Sequence, residues 1–239
     1  MATTGRIHSF ESFGTLDGPG IRYIVFMQGC PLRCSYCHNP DTWEVNSGKE
    51  YTTDEVVAKI ISCRNYLRNG GVTLSGGEPL LQGKFTLELL QKLKDENFHT
   101  AIDTAGSLPL ASTQEIINTS DMLLLDIKAL DDQLAISLTS KSNKNTLQTL
   151  DYCEEIKKRV WIRHVLVPNL TYNEDMISSL AKFLSNYSCI ERVELLPYHT
   201  LGCHKFEKLN ISNPLSGTLD LTSKELDIAN KIFYSTFRK

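Results

Sequence analysis

The feature that most limits what this chain can become is a strand–helix alternation repeated six times. Six short segments rich in Val, Ile and Leu read as strands, at residues 21–27, 72–75, 100–103, 122–127, 160–167 and 192–196. Their near-continuous apolar character suits strands buried on both faces. Helical patterns lie between and after them, at 53–68, 85–96, 112–119, 145–158, 173–186 and 223–237. The first sets Val56, Val57, Ile60, Ile61 and Leu67 largely on one stripe and opens with Thr52-x-x-Glu55, the spacing of a capping box. Leu87, Leu89, Leu90 and Leu93 repeat the scheme in the second. Such alternation predicts an α/β fold, a parallel sheet with helices outside. Six units fall short of the eight in a closed barrel, which leaves a partial (β/α)6 barrel or a doubly wound sheet. No linker, low-complexity tract or internal repeat divides residues 1–239, so they read as one domain. Residues 202–221 form the longest irregular stretch, either covering a site or running over the surface.

Both architectures bind ligands at the carboxyl ends of their strands. The residues capable of chemistry fall there. A cysteine cluster follows the first strand and Ser75-Gly-Gly-Glu-Pro79 the second. Asp103-Thr104 ends the third, Asp126 and Lys128 end the fourth, and His199 follows the sixth. Convergence of five separate loops carries more weight than any one motif.

Seven cysteines are present, three of them in Cys30-Pro-Leu-Arg-Cys34-Ser-Tyr-Cys37. An odd, unevenly spread set is a poor disulfide framework. Cys63, Cys153 and Cys189 sit in helix-like patterns and read as small apolar fillers, while Cys203 receives no role. The spacing C-x3-C-x2-C offers three thiolates. A structural zinc site closes with four ligands, and His38, adjacent to Cys37, is poorly placed to share the same tetrahedral ion. A cubane iron–sulfur cluster on three cysteines leaves one iron open to a substrate or cofactor. Gly76-Gly77-Glu78 is either a tight turn or a place where backbone approaches a ligand closely. Asp126-Ile127-Lys128 ends an apolar strand with charges that need partners, either each other or a ligand. A net charge of −3 argues against a large nucleic-acid footprint. No apolar run approaches the ~18 residues of a membrane span and no signal-peptide core opens the chain, so a cytoplasmic protein with neither membrane nor nucleic-acid partner is expected.

Cys30-x3-Cys34-x2-Cys37, with Tyr36 before the last cysteine, resembles the signature of the radical S-adenosylmethionine (SAM) superfamily. The stretch from Arg6 to Arg22, which contains Asp17-Gly-Pro-Gly20, resembles the pyruvate formate-lyase activating family within it. Cys37-His-Asn-Pro-Asp-Thr-Trp43, Val72-Thr-Leu-Ser-Gly-Gly-Glu78 and Leu195-Leu-Pro-Tyr-His199-x-Leu-Gly202 do likewise. The likeness runs from about Gly5 to about Lys205; the last thirty or so residues carry no recognisable motif.

The resemblance implies a fold of the radical SAM type and a 4Fe–4S cluster on Cys30, Cys34 and Cys37. It further implies SAM contacts from Tyr36, Cys37, His38, Gly76, Gly77, Glu78, Asp126, Ile127, Lys128 and His199. Gly77 would meet the SAM amino group, Lys128 its carboxylate and His199 its ribose or adenine. Asp103, Thr104 and Asp126 would surround a monovalent cation. The implied reaction is reductive cleavage of SAM to a 5′-deoxyadenosyl radical that takes a glycine hydrogen from pyruvate formate-lyase. A flavodoxin or ferredoxin would be the electron donor and the chain a monomer. The family's Asp-Thr-Asn-Gly appears here as Asp103-Thr-Ala105-Gly, so any role of that amide is missing. No second cysteine cluster lies between Cys37 and Gly76, unlike the ferredoxin-like insertion of many other glycyl-radical activases.

Asp17 precedes the first strand, so strand direction puts it at the amino end, away from the site. The resemblance makes it a contact for the partner's peptide loop; the alternative is a local turn cap. Three competing readings remain for the whole chain: an activase of another glycyl-radical enzyme, a radical SAM enzyme of a small molecule, and a zinc-binding interaction module.

Overall fold

A computed structural model describes residues 2–237. Its strands are β1 (Thr4–Gly14), β2 (Arg22–Met27), β3 (Lys49–Thr52), β4 (Gly71–Gly76), β5 (Thr100–Thr104), β6 (Met122–Asp126), β7 (Arg159–Leu166) and β8 (Ile190–Pro197). They form one sheet in the order β3-β1-β2-β4-β5-β6-β7-β8. From β2 to β8 every pairing is parallel, so the six predicted strands are the six parallel strands. The order is linear: β3 and β8 are edges, and the barrel is partial and open.

The sequence reading missed β1 and β3, which add two antiparallel strands beside β2. Their polar, half-exposed residues lack the apolar run by which the other strands were recognised. The helices are α1 (Thr53–Ser62), α2 (Gly83–Asp95), α3 (Leu110–Thr119), α4 (Asp132–Thr139), α5 (Lys144–Glu155), α6 (Glu174–Leu184), α7 (Cys203–Lys208) and α8 (Ser223–Thr236). Two of these were unforeseen. Helix α4 starts in the polar run Asp131-Asp132-Gln133, where the Asp131 side chain caps Leu134 N, and stops at Ser140 with φ +63°. Helix α7 occupies part of the stretch read as irregular, directly after the His199 loop.

Side-chain alternation along the parallel strands divides the interior in two. Ile102, Leu123, Leu125, Ile127 and Ile162 face the helices and pack with Val56, Ile60, Leu89, Leu90 and Leu93 in the main core. Ala101, Met122 and Leu124, with Trp161 against them, make a separate small apolar layer. Two residues further along β5, β6 and β7 on that same face come Asp103, Asp126 and Arg163. The inward face therefore turns from apolar to charged at the carboxyl ends of the strands.

No helix among the described residues is long and apolar enough to cross a membrane. The capping box of α1 is formed: Glu55 N donates to Thr52 Oγ1 at 3.2 Å, and Thr52 N to Glu55 Oε2 at 2.8 Å. Thr52→Ala is expected to lower the unfolding free energy by about 1 kcal/mol, with Thr52→Ser close to the parent, as read by chemical denaturation.

Candidate active site

At the carboxyl ends of the strands lies a cavity of about 300 Å3. The loop after β2 brings Cys30, Cys34, Tyr36, Cys37 and His38 to its wall, and the turn after β4 brings Gly76, Gly77 and Glu78. Asp103 and Thr104 come from β5, Asp126 and Lys128 from the end of β6, and Arg163 from β7. The convergence of loops expected from the sequence is present, with His199 as its one exception.

The cysteine loop is held by backbone. Gly29 N donates to Thr42 O at 2.7 Å and Cys30 N to Trp43 O at 3.3 Å. Arg33 N and Ser35 N donate, each at 2.8 Å, to Thr139 O and Leu138 O. Those carbonyls belong to the last turn of α4, where no intrahelical donor remains. The unforeseen helix thus anchors the loop on the side of Cys34.

The Gly76-Gly77 turn needs both glycines. Gly76 has φ +103°, and a Cβ there would lie 2.4 Å from Met27 N. A Cβ on Gly77 would lie 2.2 Å from Gly29 O. The turn packs backbone to backbone against the start of the cysteine loop, and Glu78 N donates to Gly29 O at 2.8 Å. The Glu78 carboxylate is fully buried and accepts from Leu80 N (3.1 Å), Thr104 Oγ1 (2.6 Å) and Ala105 N (3.1 Å). It stitches the β4 turn to the β5 turn.

Charges dominate the rest of the wall. Lys128 Nζ sits 2.7 Å from Asp126 Oδ2 and 5.7 Å from the centre of the Tyr36 ring. Burial opposes the Lys128 charge, but Asp126, Tyr36 and Cys34 hold the ammonium well above its ordinary pKa. Arg163 is buried. Its Nη1 lies 3.3 Å from Asp103 Oδ2 and 3.9 Å from Asp17 Oδ1, its Nε 3.2 Å from Glu194 Oε2, and its Nη2 donates to Leu16 O. Burial raises the carboxyl pKa of Asp103 to about 6 and of Glu78 to about 7. It raises the thiols of Cys30 and Cys34 to about 12, and that of Cys37 upward as well.

Three expectations change. Asp17 lines the cavity rather than standing apart from it: β1 runs antiparallel to β2, and the turn between them folds inward. There Thr73 Oγ1 donates to Asp17 O at 2.6 Å. Ile127 does not reach the cavity, because alternation turns it to the helices while Asp126 and Lys128 face in. His199 does not line the cavity either; it stacks on His38 with ring centres 4.0 Å apart, and Gly202 packs against His38 Cα. Arg163 was missed. Its signal was a charge at an inward position of an apolar strand, the same signal that singled out Asp126 and Lys128.

The donor set suits a cluster and a polar cofactor. Three thiols share one wall, and among the described residues no three His, Cys, Asp or Glu side chains converge as they would on one metal ion. Zinc holds its ligands within roughly 2.3 Å, whereas a cubane spreads its thiolates over separate irons. The Tyr36 hydroxyl and Asp103 Oδ1 are buried at the cavity without a hydrogen-bond partner, as is His199 Nδ1 behind it. Cationic iron supplies what buried thiols lack, since it favours the thiolate against desolvation.

A family model described as a 4Fe-4S single cluster domain matches residues 16–149. A pyruvate formate-lyase-activating enzyme of Clostridium pasteurianum is 50% identical over 213 residues, covering 88% of this chain and 89% of that one. The chain belongs to the pyruvate formate-lyase-activating enzyme family. Another member, from Listeria monocytogenes, is 39% identical and covers 98% of both chains. The fold extends beyond the family: a radical SAM methyltransferase from Sphaerobacter thermophilus superposes with a TM-score of 0.67 at 18% identity, over 90% of this chain and 64% of that one. As a member of the family, the chain is a radical SAM enzyme whose cofactors are a 4Fe–4S cluster and SAM.

The buried carboxylates make a prediction for the cofactor-free protein. Unfolded, Asp103 and Glu78 return to ordinary values near 3.8 and 4.5. Between about pH 4 and 7 the unfolded chain then binds fewer protons than the folded one, so stability falls as pH rises through that window. Denaturation midpoints across it are expected to decline, and Asp103→Asn to flatten the slope below about pH 6.

Proposed function

We propose that this chain installs the glycyl radical of pyruvate formate-lyase, as the names of its relatives indicate for them. The observation that carries this reading is one cavity shared by three cysteine thiols, a glycine turn needing two glycines, and the Asp126–Lys128 pair. When bound, the cluster and SAM supply the electron and the 5′-deoxyadenosyl radical that removes a glycine α-hydrogen.

The chain's residues do the rest. Cys30, Cys34 and Cys37 would hold the cluster. The backbone of Gly76 and Gly77, brought close by the absence of side chains, would receive the SAM amino group. Glu78 would act by fixing that turn, since protein donors already occupy its carboxylate. Lys128 would pair with the SAM carboxylate, held in place by Asp126 and the Tyr36 ring. The His38–His199 stack would flank the nucleoside. The unpartnered Asp103 Oδ1 supports a monovalent cation beside Thr104 and Asp126. Asp17, kept in the cavity by Arg163, would accept backbone N–H groups of the partner's glycine loop. The apolar layer of Ala101, Met122 and Leu124 makes the interior beneath these groups. In this reading one domain carries the whole activity, as a monomer in the cytoplasm reduced by a flavodoxin or ferredoxin.

Cys30→Ala, Cys34→Ala and Cys37→Ala are each expected to abolish cluster assembly and SAM cleavage, while Cys63→Ala leaves both intact; iron and sulfide analysis with 5′-deoxyadenosine assay reads the outcome. Lys128→Ala should weaken SAM binding about tenfold to a hundredfold, the worth of one charge-assisted hydrogen bond, with a smaller effect on melting temperature. The test of the whole reading uses a peptide copied from a pyruvate formate-lyase glycine loop, deuterated at the glycine α-carbon. Deuterium should appear in 5′-deoxyadenosine. No transfer from either peptide or intact pyruvate formate-lyase would assign the site to another radical reaction.

A further inference from the structure

At the opposite, amino-terminal end of the strands lies a second cavity, of about 360 Å3. The loop after α1 supplies Arg64, Asn65 and Arg68 to its wall, and the loop after α2 supplies Asn97, Phe98 and His99. No Asp or Glu lines it among the described residues. Arg64 is paired with Glu96 and lies over the Phe98 ring, 4.4 Å from its centre. Arg68 is exposed and forms no ion pair among the described residues.

His99 is fixed as a donor in this wall. Its Nδ1 lies 3.1 Å from Arg22 Nη1. A guanidinium has no acceptor, so Nδ1 must accept and the ring proton must sit on Nε2. That Nε2 is buried and without a partner. Behind it, Arg22 is fully buried and bonds only to neutral acceptors, among them Thr73 Oγ1 at 2.9 Å and Val72 O at 2.5 Å. It forms no ion pair among the described residues. Gly71 permits this arrangement, because a Cβ there would lie 2.0 Å from His99 O and 2.7 Å from Arg22 Nη1. The acidic group felt by both Arg22 and His99 is Asp121, whose Oδ2 already accepts from Thr100 N at 2.7 Å and Thr100 Oγ1 at 2.9 Å. Arg159 also acts on His99, but its charge is matched by Glu191, whose Oε1 lies 2.6 Å from its Nε.

We propose that this cavity is a binding site for a phosphate-type oxyanion. It combines a wall without a carboxylate, a buried guanidinium behind it whose nearest partners are neutral and whose acidic neighbours Asp121 and Asp17 make no direct ion pair with it, and one arginine at the rim without an ion pair. Tetrahedral oxyanions offer several acceptors to such a set, and guanidinium meets them with paired donors. Phe98 and Leu67 add an apolar wall able to hold the body of a phosphomonoester. The cavity lies at the other end of the barrel from the radical chemistry, and Thr73 Oγ1 links the two by accepting from Arg22 Nε and donating to Asp17 O.

The test is calorimetric titration of the reconstituted enzyme, anaerobic and saturated with SAM so that the first cavity is filled. The titrants are inorganic phosphate and phenyl phosphate, with chloride at matched ionic strength as control. Saturable binding of phosphate but not chloride is expected. Arg68→Ala should weaken it about tenfold, and Asn65→Asp, which puts a negative charge into a wall that has none, at least as much. Both positions are exposed, and unchanged melting curves would establish that the variants fold. Tighter binding of phenyl phosphate would identify a phosphomonoester as the ligand, and equal binding free phosphate. Absence of saturable binding to the parent protein, or binding that both variants leave unchanged, would overturn the proposal.

Discussion

The site depends on one buried guanidinium. Arg163 reaches across the interior of an open sheet and ties together β5 through Asp103, β8 through Glu194, and the turn before β2 through Leu16 O and Asp17. A closed barrel would fix these elements by strand pairing. Here the strand order ends at β3 and β8, and a side-chain network fastens the turn to the strands instead. Burying one member of such a network without the others would be strongly unfavourable, because each charge is compensated only by its neighbours. Arginine suits the position: its planar fork addresses several acceptors at once and keeps its charge when desolvated.

A second constraint is steric. The cysteine loop and the Gly76-Gly77 turn approach so closely that no side chain fits between them. Glu78 then holds the second turn to the third by accepting from Thr104 Oγ1 and Ala105 N, while Leu80 N ties it to its own turn. Binding groups on three different strand ends are thus positioned by backbone contacts and one buried carboxylate. Such rigidity suits a cofactor whose reactive fragment must be aimed at a single carbon.

Electrostatics at the two ends of the barrel are opposite. The upper cavity gathers Asp17, Glu78, Asp103, Asp126 and three cysteine thiols around two cations, Lys128 and Arg163. Burial pushes Asp17, Glu78, Asp103 and the cysteines toward their neutral forms, so any charge they carry there depends on a nearby cation. The lower end gathers arginines and amides with no carboxylate in the cavity wall. A net charge of −3 for the whole chain conceals this division.

Much of the fold was legible in the sequence because its cause is local. Apolar runs bounded by helical patterns marked all six parallel strands, and the spacing of Cys30, Cys34 and Cys37 marked the three thiols that share one cavity wall. Glycines at 76 and 77 signalled close backbone approach without revealing what approached them. Tertiary structure alone decided the rest. The edge strands β1 and β3 are stabilised by pairing and not by their own apolar content. Helix α4 matters because its last carbonyls meet the cysteine loop across about a hundred residues of chain. Asp17 enters the cavity because the antiparallel β1 reverses the chain beneath it, and Ile127 leaves it because strand alternation turns every second residue away. Sequence determines which residues can bind metal, carry charge or omit a side chain. Which of them face one another depends on strand pairing and pleat, which join residues far apart in the chain.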